Sequence, residues 1–156
     1  MGLDTSHDAF HGAYSAFNRL RQCVAAAIGG SYPEHYVYGA RGVPLPRRPG
    51  EPHLSQFARK PDMDESRWYW PDKGYSRKTH PGLYEFFTHS DCDGVISPEM
   101  CSKVADELEA VLPAIVAMDW EASGHIERDG GFEAVVRRFI QGCRDAASAG
   151  EELEFR

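Results

Sequence analysis

The sequence predicts a mainly α domain with a small β component, an α+β fold built as a compact bundle of three or four helices with a long excursion rich in proline, arginine and aromatic residues. Three observations predict it. Apolar residues recur at three- and four-residue spacing in long stretches bounded by glycine or proline, the pattern of helices that bury one stripe. Eight of the ten prolines fall between Pro33 and Pro81, where that spacing is short or absent. The 156 residues, 42% hydrophobic and 26% charged, can bury one core with no disulfide or structural metal to help. A single globular domain over 1–156 is expected, with 31–80 as a long loop or small hairpin excursion inside it.

The first helix is expected over Ala9 to Ile28, where Phe10, Ala13, Tyr14, Phe17, Leu20, Val24, Ala27 and Ile28 form the stripe and Gly29-Gly30 ends it. In the proline-rich middle, Tyr36-Val37-Tyr38 and Arg67-Trp68-Tyr69-Trp70 favour two short strands. The aromatic content of that segment argues for order. Leu83, Tyr84, Phe86 and Phe87 predict a short helix that stops at the polar turn His89-Ser90-Asp91-Cys92-Asp93-Gly94. Ser97 is an N-cap, with Pro98 at the first helical position and Glu99 beside it, and Cys101, Val104, Ala105, Leu108, Val111 and Leu112 mark the buried face that follows. Pro113 is expected to kink or end that helix. Residues 121–131 read as a loop, Phe132 to Ala147 as a third long helix ended by Gly150, and Glu151 to Arg156 as a short acidic tail.

The four cysteines, Cys23, Cys92, Cys101 and Cys143, lie far apart with no Cys-x-x-Cys pair, so they are expected reduced. Three fall on apolar helix faces, and Cys92, in the polar turn, is the accessible one. Net charge is −7, against a broadly basic, duplex-nucleic-acid-binding surface. Residues 41–80 hold nine basic and five acidic side chains, whereas the rest of the chain holds eight basic and nineteen acidic. That positive middle either folds back on the acidic helices through ordinary surface pairs or offers arginine forks to an anion. With no apolar run long enough to span a bilayer and no secretory start, a soluble, cytoplasmic protein without a membrane partner is expected.

Two clusters could carry chemistry. His7-Asp8-Ala9-Phe10-His11 sets two imidazoles four residues apart, on one face if helical, a spacing that lets both reach one metal. The zinc-protease motif needs Glu directly after the first His, and Asp8 stands there, which disfavours a protease. The alternative is that Ser6 or Asp8 caps the helix and both histidines sit exposed. The second cluster runs from His89 to Met100 and resembles a calcium-binding EF-hand loop. With Gly94 at the sharp turn, Asp91 and Asp93 take the third and fifth ligand positions, Ile96 the apolar eighth and Ser97 the ninth. His89 replaces the first acidic ligand and Met100 the twelfth, so calcium loses two of its best donors. A divalent metal such as zinc or manganese accepts His89 with Asp91 or Asp93 more readily; a plain Asp-Gly turn before a capped helix fits the same residues. If the first helix packs on residues 83–87, then His7, His11, His89, Asp91 and Asp93 would converge as metal ligands.

Arg19 and Arg21, with Ser15 and Asn18, form a polar flank on the first helix. Together with the basic middle they could hold a small anionic molecule whose ring stacks on Trp68, Tyr69, Trp70 or Tyr75. His80 and His125 have no partner pattern. Phosphate loops, nucleophile elbows and dinucleotide fingerprints are absent.

Gly2-Leu3-Asp4, His7-Asp8, His11-Gly12-Ala13-Tyr14-Ser15-Ala16-Phe17, His89-Ser90-Asp91-Cys92-Asp93-Gly94 and Phe139-Ile140-Gln141-Gly142-Cys143-Arg144 together resemble a group of small uncharacterised proteins of bacteria and their phages. The resemblance covers roughly half the chain, transfers no reaction, and implies that the His7 and His89 segments belong to one design. Three functions stay open. One is a binding protein for a small anionic ligand such as a nucleotide, which in a phage would sequester a defence signal. The second is a metal-dependent phosphoester hydrolase using the His/Asp clusters. The third is a protein-interaction module presenting acidic helices. Self-association is compatible with each.

Overall fold

The computed structural model describes residues 2–30, 32, 74–90, 93–118 and 124–156, and these are mostly helical with two small two-stranded sheets, the fold class the sequence predicts. Strand β1 (Leu3–Asp4) pairs antiparallel with β2 (His11–Gly12), Leu3 opposite Gly12 and Asp4 opposite His11. A 3₁₀ turn over Ser6–Asp8 joins them, with His7 and Asp8 both in the left-handed region at φ 55° and 51°. Thr5 closes the loop: its N–H donates to the Phe10 carbonyl at 3.0 Å and its hydroxyl accepts from the Phe10 N–H at 2.7 Å.

Helix α1 (Tyr14–Ala27) therefore starts five residues later than expected, and neither Ser6 nor Asp8 caps it. Left-handed backbone at His7 and Asp8 turns the chain out of a helical path, and the Thr5 side chain satisfies the groups a helix would have paired. Phe10 is buried in either arrangement, its ring 4.9 Å from that of Phe17, so the apolar spacing could not separate the two.

Helix α2 (Pro81–Thr88) leads through the polar turn to β3 (Val95–Ile96) and α3 (Pro98–Val116). The expected cap is present, with Ser97 Oγ accepting the Met100 N–H at 3.2 Å. Pro113 does not end helix α3, which runs on to Val116. The missing proline N–H removes one bond near the end of the helix, and the Ala117 N–H still donates to the Pro113 carbonyl at 3.2 Å. Residues expected to be loop include the short helix α4 (Gly124–Arg128), anchored by buried Ile126. Helix α5 (Gly131–Ala149) ends at left-handed Gly150, φ 68°.

The segment expected as an acidic tail is instead β4 (Leu153–Glu154). It pairs antiparallel with β3, Val95 opposite Glu154 and Ile96 opposite Leu153, and buries Leu153 and Phe155. Beyond it, Thr5 bridges to Phe155, and Asp4 and Arg156 exchange two backbone hydrogen bonds of 3.2 and 2.9 Å. The C-terminal residues thus lie between the N-terminal hairpin and β3. The strands expected near Tyr36–Tyr38 and Arg67–Trp70 lie outside the described residues.

The α3–α5 pair and the α2–α3 pair form the frame of the bundle. Phe17 of α1 fills its centre, with the rings of Phe10, Phe86, Phe139 and Phe155 at 4.9 to 5.9 Å. Two helix contacts require glycine. A Cβ on Gly82 would lie 2.5 Å from the Lys103 carbonyl carbon of α3, and one on Gly142 would lie 2.6 Å from the Ala9 Cα. Cys23, Cys101 and Cys143 are buried as thiols, as expected. Among the described residues no helix is long and apolar enough to cross a membrane.

Candidate functional site

The polar turn after α2 is held from three directions. From below comes Arg21, only 3% exposed, whose Nε donates to the Phe86 carbonyl at 2.8 Å and whose Nη2 donates to the His89 carbonyl at 2.5 Å. Its guanidinium carbon lies 4.4 Å from the Phe17 ring centre. These carbonyls belong to the end of α2, where helical C=O groups lack partners and a cation meets the negative end of the helix dipole. Tyr32 assists: its hydroxyl donates to the Phe87 carbonyl at 3.0 Å and its ring stacks on Phe87. Arg21, read in sequence as part of an outward flank, thus points one donor at the last turn of α2 and one at the first carbonyl of the polar turn. The available signal was its place four residues after Phe17 and three before Val24, on the buried stripe.

The second hold is the C-terminal strand. The Phe155 N–H donates to the Gly94 carbonyl at 2.9 Å, and the His89 ring packs on Phe155 with centroids 4.2 Å apart. The third is within the turn. His89 Nδ1 lies 2.6 Å from the Ser90 carbonyl, and a carbonyl only accepts, so Nδ1 carries the proton. The Nε2 edge faces Gly94, where a Cβ would come within 3.3 Å of both Cε1 and Nε2. Gly94 has φ 98°, a left-handed conformation that glycine adopts without strain.

The described residues share these features with an EF-hand loop: an entering helix, a left-handed glycine at the sixth position, a buried apolar residue at the eighth in a two-residue ladder, and a capping hydroxyl at the ninth that opens the exiting helix. The donor set differs from a calcium loop. His89 occupies the first position and Asp93, exposed, the fifth; Met100, at the twelfth, is partly buried against the core. Asp91 lies outside the described residues.

The N-terminal histidines stand nearby but not in the expected way. They are not on one helix face, because the hairpin replaces the first turns of the expected helix. His7 Nε2 is 3.1 Å from Glu151 Oε2, and His11 Nδ1 is 2.5 Å from Asp4 Oδ1 across the β1–β2 pair. The Asp4 carboxylate, through its hydrogen bond and its charge, holds the His11 pKa above the ordinary histidine value. The hairpin and the polar turn do share one strip of surface, joined through the C-terminal strand, but His7 and His11 each have their own carboxylate. Among the described residues, no three His, Cys, Asp or Glu side chains are gathered so as to hold a metal ion.

The expected ring-stacking residues Trp68, Tyr69 and Trp70 lie outside the described residues. Tyr75 stacks on His80 at 4.4 Å, ahead of α2, and so sits at the opposite end of that helix from the polar turn. Arg19 is half-buried on α1. Sequence reasoning missed Tyr32, Glu151 and Phe155; for Phe155 the alternation Leu153-Glu154-Phe155-Arg156 was the signal, and for the other two there was none. No protein-family profile, curated protein or solved structure matches the chain.

Proposed function

We propose that the protein is a divalent-metal-binding helix–turn–helix module, that the His89–Gly94 turn is its site, and that it takes zinc or manganese in preference to calcium. The observation that carries this reading is the His89 hydrogen bond: Nδ1–H donates to the Ser90 carbonyl, which orients the ring so that, in its neutral form, Nε2 is the lone-pair donor facing the turn. Metal-binding histidines are commonly oriented by such a bond on the other ring nitrogen. His89 and Asp93 are the described donors, and Asp91 is the third that the sequence supplies. An imidazole at the first position and the lack of a carboxylate at the twelfth disfavour calcium, which wants oxygen throughout, and an imidazole beside carboxylates suits a transition-metal ion.

The anionic-ligand reading is weakened because Arg21 directs its guanidinium at the Phe86 and His89 carbonyls. A bound ion with open positions would polarise a phosphate oxygen, which keeps phosphoester hydrolysis as an extension of the same site.

Isothermal titration of the metal-free protein with zinc, manganese and calcium tests the reading. One equivalent of zinc or manganese should bind more tightly than calcium, and His89→Ala should weaken binding by at least about tenfold. Equal affinity of wild type and His89→Ala, or affinity for zinc and manganese weaker than roughly 1 mM, the weak end for loops of this shape, would refute it.

A further inference from the structure

The segment from Glu151 to Arg156 is gripped from two sides. On one side stands the N-terminal hairpin. Asp4 and Arg156 exchange their two backbone hydrogen bonds, and Thr5 bridges to Phe155. Ser6 Oγ accepts the Glu154 N–H at 2.8 Å and donates to the Glu152 carbonyl at 3.4 Å, while His7 Nε2 meets Glu151 Oε2 at 3.1 Å. On the other side stand the polar turn and β3. Here the Phe155 N–H donates to the Gly94 carbonyl, the Phe155 ring lies against the His89 ring, and β4 pairs with β3. From this double grip we propose that Glu151–Arg156 is a latch that regulates the polar turn. Seated, it holds the His89 ring ready for a metal ion; a bound ion in turn keeps the latch and the N-terminal hairpin closed on each other. The inference rests on the metal reading and deepens it by naming what controls that site.

Phe155 makes the connection. Its ring is buried, 5.9 Å from that of Phe17, and gives the His89 imidazole an apolar wall on one face. The Ser90 carbonyl holds Nδ1, and the Gly94 backbone lies along the Nε2 edge. When the latch leaves, the wall and the Phe155–Gly94 hydrogen bond go together, and the imidazole gains freedom that an ion must remove again on binding. The ion therefore favours the latched state. Linkage then requires that it shift the chain toward that state by the same factor.

The latch is built to open ahead of the rest of the domain. Strand β4 and its neighbours β1 and β3 are two residues long, and the apolar anchors Leu3, Leu153 and Phe155 are few. The turn that grips it from the hairpin side carries left-handed backbone at His7 and Asp8, a conformation that surrounding contacts must hold.

Hydrogen exchange of the full chain, followed by NMR with and without zinc, tests the latch, with zinc at about one hundred times the dissociation constant found by titration. The reporters are the Asp4, Glu154 and Arg156 amides, whose hydrogen bonds join the C-terminal segment to the hairpin and touch no metal donor. They should exchange more slowly by up to roughly a hundredfold. The Asp129 and Gly130 amides, bonded within the end of α4, should be unaffected. Ser6→Ala removes the hydroxyl between Glu152 and Glu154 without touching the polar turn, and should speed the reporters roughly fivefold in the metal-free protein. Phe155→Leu keeps an apolar side chain, removes the ring face, and should shrink the effect of zinc on the reporters. The wild-type measurement decides the matter even if that variant fails to fold. Zinc that binds in the titration but slows the reporters by less than about threefold, or slows Asp129 and Gly130 equally, overturns the latch and leaves the metal reading standing. Absence of zinc binding in the titration overturns both.

Discussion

Replacing Arg21 with methionine separates a structural arginine from a ligand-binding one. In the native chain the guanidinium makes two charge-assisted hydrogen bonds, to the Phe86 and His89 carbonyls, over the face of Phe17. Methionine keeps most of the apolar stem and removes every donor. The Phe86 bond is buried, so its loss leaves a carbonyl without a replacement partner, about 2 kcal/mol. The His89 carbonyl is only partly buried and recovers water, so its loss is nearer 1 kcal/mol. The cation–π contact and the helix dipole add up to about 1 kcal/mol each. Against these stands the desolvation of the native guanidinium, which the variant no longer bears. The net expectation is a loss of about 3 kcal/mol, or roughly 6–12 °C in Tm for a chain of this size. Urea unfolding followed by circular dichroism measures it. Arg21→Lys, which keeps the charge but cannot span two carbonyls with a planar fork, should lose about half as much. A ligand-clamping arginine would behave oppositely, because removing a charge held for a ligand leaves stability unchanged or raised. An Arg21→Met protein within about 0.5 kcal/mol of wild type, the range of ordinary surface changes, would refute the structural assignment.

Gly142→Ala places a methyl group against the Ala9 backbone and should destabilise by about 1–3 kcal/mol through overpacking, read by thermal melting. Gly150→Ala, with nothing within 4 Å of the new Cβ, should cost only its left-handed backbone, about 1 kcal/mol. For His11, folding raises the pKa, so the Asp4 pair stabilises the hairpin fully below the ordinary histidine value and loses that contribution as pH rises through the raised value. An NMR titration of the His11 ring should show the raised midpoint, and Asp4→Asn should bring it down; an unchanged midpoint would remove Asp4 as the cause. His89→Asp combined with Met100→Glu restores oxygen ligands at both ends of the loop and should raise calcium affinity while lowering that for zinc, measured by titration. No gain in calcium affinity in a folded double variant would mean that the turn only resembles the loop in outline.

The parts of the fold that the sequence made legible are those where several local signals agree. Ser97, Pro98 and Glu99 announce a helix start by three separate mechanisms, and α3 begins there. Gly150 ends a long stripe, and α5 stops at it. The N-terminal hairpin was hidden because Phe10 and Phe17 satisfy a helical spacing while being buried for a tertiary reason. The carriers of the hairpin, the Thr5 hydroxyl and left-handed His7 and Asp8, leave no periodic trace. Strands β3 and β4 are two residues each, so the alternation that continues past β4 to Arg156 is a weak signal, and their pairing joins positions nearly sixty residues apart. Pro113 does not stop α3 because it removes only its own N–H bond to the preceding turn, while the carbonyl of Pro113 still accepts from the Ala117 N–H and the buried Ile115 holds the last turn on the core.

The polar turn shows the same division at the level of the site. Its outline was readable because the backbone demands of such a loop fall on single residues: glycine where φ is positive, an apolar side chain where the ladder buries it, a hydroxyl where the helix begins. Arg21 and Phe155 carried a burial signal, but their role as supports of the turn was not readable, because they and Tyr32 act from elements distant in sequence. Those supports bear on what the turn can do. In a calcium loop the ion itself neutralises a crowd of carboxylates and draws the loop closed. Here His89 and Met100 stand where two of those acids would be, and contacts with the α2 carbonyls, the C-terminal strand and the Ser90 carbonyl hold the described residues of the turn. Any ion it takes meets a donor whose orientation is already fixed, so ordering the ligand costs little on binding, and preference among metals then follows from donor chemistry at His89 more than from loop rearrangement.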